Sequence, residues 1–232
     1  GESSNFQIGI AMPGPFDYEN GISWIEAQGK MKSLLGLSVR DLMAASLGIL
    51  SSQIHFSNDA EAFLAGEIMA DEHFSDQRVI GLTLGTGLGS AFYLDGKSQD
   101  AKLWTAPFRD GIAEDYFGTA WFVNKAKSEF GLKIKGVKDL ILDQNREASE
   151  ILFKEFGFSL GEFLLPYISQ YQFEKILLGG KVTQSAALFL PFTLAYFRGK
   201  GVNISIDLAK LGEKAALLGA CHMFYSSIQL DQ

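Results

Sequence analysis

Residues 79–94 restrict the fold more than any other part of the chain. Val79-Ile80-Gly81-Leu82-Thr83-Leu84 and Ser90-Ala91-Phe92-Tyr93-Leu94 read as two strands joined by Gly85-Thr86-Gly87-Leu88-Gly89. Asp95-Gly96 follows as a tight-turn signal. Around this hairpin, strands alternate with helices. A buried strand over 6–11 is stopped by Pro13-Gly14-Pro15, and helices are predicted over 39–48 and 60–70 with a short strand at 54–56 between them. Beyond Tyr116 the pattern is mostly helical, over 116–130, 136–143, 147–171 with an interruption at Pro166, and 183–198. Strands are predicted at 176–178 and 202–206, and an Ala/Leu-rich helix over 211–226 closes the chain. The class is α/β.

Three alternating glycines between two strands permit positive φ and allow backbone N–H groups to turn inward as an anion site, with the Thr86 hydroxyl as a further donor. The same residues also suit an ordinary five-residue hairpin loop. A strand follows where a dinucleotide fingerprint needs a helix, and no Lys-Ser/Thr pair closes the loop as in a Walker motif. Asn58-Asp59 ends a strand and opens a helix. Asn58 suits an N-cap with Glu61 completing a capping box, and Asp59 suits the positive end of the helix dipole. A carboxylate held there, ionised at neutral pH, is also placed to orient a hydroxyl and accept its proton. Gly179-Gly180 would let a flat ring approach the backbone at a strand-to-helix crossing, or would form a plain loop. Glu114-Asp115 most simply caps the helix beginning near Tyr116, and Trp104, Trp121 and Phe122 read as core.

Composition excludes several classes. Of the 232 residues, 20 are Lys or Arg and 27 Asp or Glu, for a net charge of -7 without a basic run, which argues against a nucleic-acid surface. The single cysteine, Cys221, permits no internal disulfide and no Cys-rich zinc site, and His55, His73 and His222 are scattered. The richest apolar stretch, 186–197, is too short for a membrane span and is broken by Pro191. A reducing, cytoplasmic setting is the expectation.

Taken in order, Pro13-Gly14-Pro15, Asn58-Asp59-Ala60, Gly85 to Gly89 with Asp95-Gly96-Lys97, Leu178-Gly179-Gly180 and Leu211-Gly212-Glu213-Lys214-Ala215-Ala216 resemble the ROK family of bacterial sugar kinases and sugar-responsive repressors. The resemblance runs from about Gln7 to Ala220. It implies a two-lobed actin/hexokinase-like (ribonuclease H-like) ATPase fold. Residues 1–78 would be the remainder of an N-terminal sugar-side lobe, 79–208 a nucleotide-side lobe and 209–232 a closing helix packing back on the first lobe. By resemblance, Asp59 is the catalytic base, and Gly14, Asn58, Asp59 and Glu114 lie on the sugar side. Gly85, Thr86, Gly87 and Gly89 are phosphate-loop residues, and Gly179 and Gly180 are on the adenosine side. The implied reaction is phosphoryl transfer from Mg2+-bound ATP to a sugar hydroxyl. A homodimer is expected by analogy only.

The sequence departs from that family in three places. No Asp-x-Gly-Gly-Thr-like segment precedes Pro13, so the N-terminal lobe is expected to be incomplete in these residues. Ala101-Lys102-Leu103-Trp104-Thr105 puts a Lys and a Thr where a Glu-x-Gly-His motif places its sugar contacts. Phe108 to Glu114 replaces a cysteine-rich zinc motif, so no zinc is expected. These departures support an alternative, a catalytically silent relative that senses a sugar or nucleotide.

Overall fold

A computed structural model describes residues 6–26, 31–74 and 76–228. The first part of the chain runs through β1 (Ile8–Met12), the short β2 (Phe16–Asp17) and β3 (Ile22–Ser23), α1 (Val39–Leu47), β4 (Ile54–Asn58) and α2 (Asp59–Ala70). There follow β5 (Val79–Leu84), β6 (Leu88–Leu94), β7 (Lys97–Asp100), the short β8 (Pro107–Phe108) and β9 (Gly111–Ile112), and the helices α3 (Ala113–Tyr116), α4 (Thr119–Phe130), α5 (Val137–Leu140) and α6 (Arg146–Tyr171). The chain closes with β10 (Lys175–Gly179), α7 (Ala186–Gly199), β11 (Ser205–Leu208) and α8 (Lys214–Ile228).

Two sheets organise these elements. β1 and β4 pair in parallel, with Met12 opposite Asn58 at the end of the ladder. The larger sheet has the order β11-β10-β5-β6-β7. β11, β10 and β5 are parallel, while β6 and β7 are antiparallel additions. β5 is apolar apart from Thr83 because both its faces are covered. Ile80, Leu82 and Leu84 join an aromatic core with Phe117, Phe122, Phe153, Phe156 and Phe189, while Val79 packs with Phe63, Leu64 and Leu177 on the opposite face.

That second face is covered by α2 and α8, which also lie against β1. The helix pair thus links the two sheets. The helices cross at glycine. A methyl group at Gly66 would fall 1.9 Å from the Ala215 carbonyl oxygen, and one at Gly219 would fall 1.8 Å from the Ala62 carbonyl oxygen. The buried Glu67 carboxylate locks the approach to α8 by accepting from the backbone N–H groups of Lys210 and Leu211, at 3.0 and 2.8 Å.

Several predicted details change. Pro166 does not interrupt its helix, since α6 is continuous from Arg146 to Tyr171. The proline ring and residue 162, whose carbonyl loses its helical donor, are both at exposed positions, so no buried carbonyl is left without a partner there. The predicted helix over 116–130 starts only at Thr119, after Gly118, and Tyr116 ends the separate short α3. Residues 181–185 form a 3-10 turn before α7. The predicted 202–206 strand is displaced to 205–208, where it pairs with β10. Trp104 is 38% exposed, unlike the buried Trp121 and Phe122. Asp95 and Gly96 both have positive φ, 52° and 78°, as the tight turn between β6 and β7 requires.

Candidate active site

Helix α2 positions the first group of residues. Asn58 caps it as the sequence suggests, its Oδ1 accepting from the N–H groups of Ala60 and Glu61 at 2.9 and 3.2 Å. The Asn58 Nδ2 donates to the Tyr18 hydroxyl at 3.0 Å, and that hydroxyl donates to the Met12 carbonyl at 3.1 Å. Asp59 is the first residue of the helix, and its Oδ1 accepts from the Ala60 N–H at 2.9 Å. Its side chain stays accessible to solvent while protein encloses its base. That partial burial, with the negative charge of Asp100, raises its pKa against the opposing pull of the Ala60 N–H. A carboxylate raised in this way is a stronger proton acceptor than a free one. Capping alone would hold the Asp59 carboxyl low, and burial with Asp100 works against that pull. Glu61 is pushed up to about 7 by burial and then by Asp100, and burial raises Asp100 itself.

The glycine stretch has a different geometry from the predicted five-residue loop. Only residues 85–87 form the turn, because Leu88 and Gly89 already pair in β6 with Leu84 and Thr83. None of Gly85, Gly87 and Gly89 has positive φ. The last two are required by close approach instead. A Cβ on Gly89 would lie 2.2 Å from Thr83 Oγ1 and 3.0 Å from the Ala60 Cβ. The turn is pinned from behind by α4, where the Thr119 N–H and hydroxyl both donate to the Gly85 carbonyl, at 2.9 and 2.8 Å. The Gly85 N–H is used within the turn, bonding to the Gly87 carbonyl. The Thr86 and Gly87 N–H groups have no acceptor among the described residues, and Thr86 is exposed. Two free N–H donors and a hydroxyl on a pinned turn fit a phosphate group.

The Ala60–Gly89 approach brings the amino end of α2 against the strand leaving this turn. Gly180 joins the turn from the other side, at the carboxyl end of β10. Its φ is +90°, and a Cβ there would fall 2.4 Å from the Leu84 carbonyl oxygen. Gly179 is held against the Phe63 ring and lies opposite Thr83 in the sheet. These residues therefore collect at the carboxyl ends of adjacent parallel strands, the usual ligand side of an α/β sheet. Gly14 lies close to the Tyr18 hydroxyl, 3.5 Å from where its Cβ would be. Glu114 faces the glycine turn. Its Oε2 accepts from the Leu88 N–H at 3.3 Å and lies 2.6 Å from the position of a Gly87 Cβ. Asp115 alone of the acidic pair caps α3, accepting from the Ile112 N–H at 3.0 Å.

The sequence reading singled out neither Tyr18 nor Asp100. Nothing in the sequence around Tyr18 marks it, because its partners lie in other elements. Asp100 ends β7, where its carboxylate accepts from the Lys102 N–H at 2.9 Å. Lys102 has φ 50° and precedes the 3-10 turn that carries Trp104 and Thr105. Among the described residues no three His, Cys, Asp or Glu side chains are placed to hold a metal, and no helix is long and apolar enough to cross a membrane.

No family model matches the chain, and no curated protein matches it in sequence. Solved structures do share its fold. A ROK hexokinase from Thermus thermophilus aligns over 96% of this chain and 80% of its own, with a TM-score of 0.77 and 20% identity. A ROK family glucokinase from Streptomyces griseus, solved with glucose and AMPPNP, aligns over 94% and 81%, with a TM-score of 0.73 and 20% identity. A ROK family transcriptional regulator, a homologue of the Escherichia coli MLC protein, aligns over 93% and 61%, with a TM-score of 0.70 and 16% identity. The chain has the actin/hexokinase-like α/β fold of these proteins, as the ordered motifs led us to expect.

Proposed function

We propose that this chain is a sugar kinase of the ROK type, in which Asp59 takes a proton from a sugar hydroxyl as its oxygen attacks the γ-phosphorus of ATP. The P–O bond to ADP breaks as the new one forms, leaving a sugar phosphate, ADP and a proton on Asp59. The observation that carries this reading is the close approach of Ala60 to Gly89, which joins the base-bearing helix end to the glycine turn in a fold shared with glucose- and nucleotide-binding kinases. In this reading Asn58 and Gly14 serve the acceptor, and the free N–H groups of Thr86 and Gly87 serve the phosphates. Gly179 and Gly180 leave room for the nucleoside, and magnesium enters with the triphosphate. Residues up to 78 form the acceptor side, residues 79–208 the nucleotide side, and the setting is cytoplasmic.

The position of Glu114 favours a second reading. A carboxylate resting on the Leu88 N–H puts negative charge beside the turn meant for phosphate, as suits a silent sensor that binds sugar alone.

The test is ADP release from Mg-ATP over a panel of neutral, amino and acidic sugars, with Asp59→Asn as the comparison. We expect turnover with at least one sugar. Asp59→Asn should cut it by roughly 10²-fold or more, the usual scale for a lost general base, with the circular dichroism spectrum unchanged. Near-normal turnover in Asp59→Asn removes Asp59 as the base. Calorimetric sugar binding without ADP release selects the sensor reading.

A further inference from the structure

Tyr18 stands between two parts of the acceptor side that are distant in sequence. Its ring packs on Phe16 at 5.3 Å between centroids, and its carbonyl accepts from Arg40 Nη2 at 3.2 Å, so its place does not depend on Asn58. Its hydroxyl bridges Met12 and Asn58, the last paired residues of β1 and β4. Burial pushes the phenol up to about 12, so it stays a neutral donor and acceptor at any working pH.

The N-cap bonds from Ala60 and Glu61 decide which way round the Asn58 amide lies, but not the tilt of its plane. The tilt is set by the bond to Tyr18. The second hydrogen on Nδ2 has no acceptor among the described residues.

We propose that Tyr18 is a positioning residue of the acceptor site, its hydroxyl aiming the remaining Asn58 N–H at a hydroxyl of the bound sugar. This rests on the reading of Asn58 as an acceptor contact. The Met12 carbonyl, the Tyr18 hydroxyl and the Asn58 amide form a chain in which each bond polarises the next. The chain also ties the Pro13-Gly14-Pro15 turn to the helix that carries Asp59.

The test is Tyr18→Phe, which keeps the ring, alone and together with Asn58→Ser, which keeps a capping oxygen. In Tyr18→Phe the KM for sugar should rise roughly 3- to 10-fold, the value of one neutral hydrogen bond. The kcat and the KM for Mg-ATP should stay within about twofold. In the Asn58→Ser background the same change should leave the sugar KM unaltered, because Tyr18 acts through Asn58. A second measurement needs no turnover. Hydrogen exchange at the Ala60 and Glu61 amides should quicken about threefold or more in Tyr18→Phe, since a loosened Asn58 caps less firmly. Unchanged exchange overturns the proposal whatever the activity. An unchanged sugar KM, or an equal rise in both backgrounds, does so in an active enzyme. If the wild type phosphorylates no sugar, the kinase reading fails and the exchange measurement alone decides the role of Tyr18.

Discussion

Gly66→Ala sets two physical effects against each other. Within a helix, alanine is favoured over glycine by roughly 1 kcal/mol, so propensity alone makes the change stabilising. The crossing with α8 opposes it. The new Cβ would sit 1.9 Å from the Ala215 carbonyl oxygen and 3.0 Å from the Gly219 nitrogen, where ordinary contact begins near 3.4 Å. Both obstacles are backbone, so no rotamer change relieves them, and α2 and α8 must separate by more than about 1 Å. Overpacking of this kind costs about 1–3 kcal/mol and at times more, and a backbone–backbone clash belongs at the upper end. The net expectation is a loss of about 2 kcal/mol, or a Tm lower by roughly 4–8 °C for a chain of this size. Calorimetry and urea unfolding read it. Gly199→Ala is the control, since nothing lies within 4 Å of that glycine, which has no positive φ and ends α7. It should be neutral or slightly stabilising. Because the helix displaced in Gly66→Ala carries Asp59, sugar affinity should fall with stability. If Gly66→Ala proves as stable as Gly199→Ala, the crossing is not closed and the account of how the two sheets are joined is wrong.

Two further outcomes follow from the site. Gly87→Val places a branched side chain 2.6 Å from a Glu114 oxygen, and the affinity for Mg-ATP should drop at least tenfold in a calorimetric titration. Unchanged affinity would mean that the turn does not bind the phosphates. Burial pushes the Glu61 carboxyl up to about 7 from its ordinary 4.5, so the folded state holds more protons than the unfolded one between those values. Its contribution to stability is therefore greatest below about pH 4.5 and is lost as pH rises through 7. Glu61→Gln should gain Tm relative to the wild type as pH goes from 5 to 8, and parallel Tm profiles would refute the burial of that carboxyl.

Much of the architecture was readable because its signals are local. The 3.6-residue pattern of α1 and α2, the Asn58 cap and the Asp95-Gly96 turn each depend on residues a few places apart. The strand run at 79–84 was found because burial on both faces makes it apolar but for Thr83. Errors came where distant contacts override local preference. Pro166 read as a break, yet α6 runs through it, with the ring and residue 162 at exposed positions where the lost bond leaves no buried carbonyl. The glycines at 85, 87 and 89 read as positive-φ positions, yet none has positive φ, and Gly87 and Gly89 are there because Glu114, Thr83 and Ala60 crowd them.

The sequence by itself determined the α/β class, the order of most of the longer strands and helices, and the ordered motifs that point to a ROK-type fold. Its charge argues against a basic nucleic-acid surface, and its single cysteine permits no internal disulfide. Those follow from periodicity, capping chemistry, charge and cysteine number, which neighbouring residues or simple counts carry. Only the tertiary structure decided that α2 and α8 join both sheets through Gly66 and Gly219, and that Ala60 meets Gly89. It alone set the Glu114 carboxylate on the Leu88 N–H, and brought Tyr18 to Asn58 across 40 residues of chain. A close approach or a hydrogen bond needs its partner in space, and the chain places these partners only when the sheets and helices have packed.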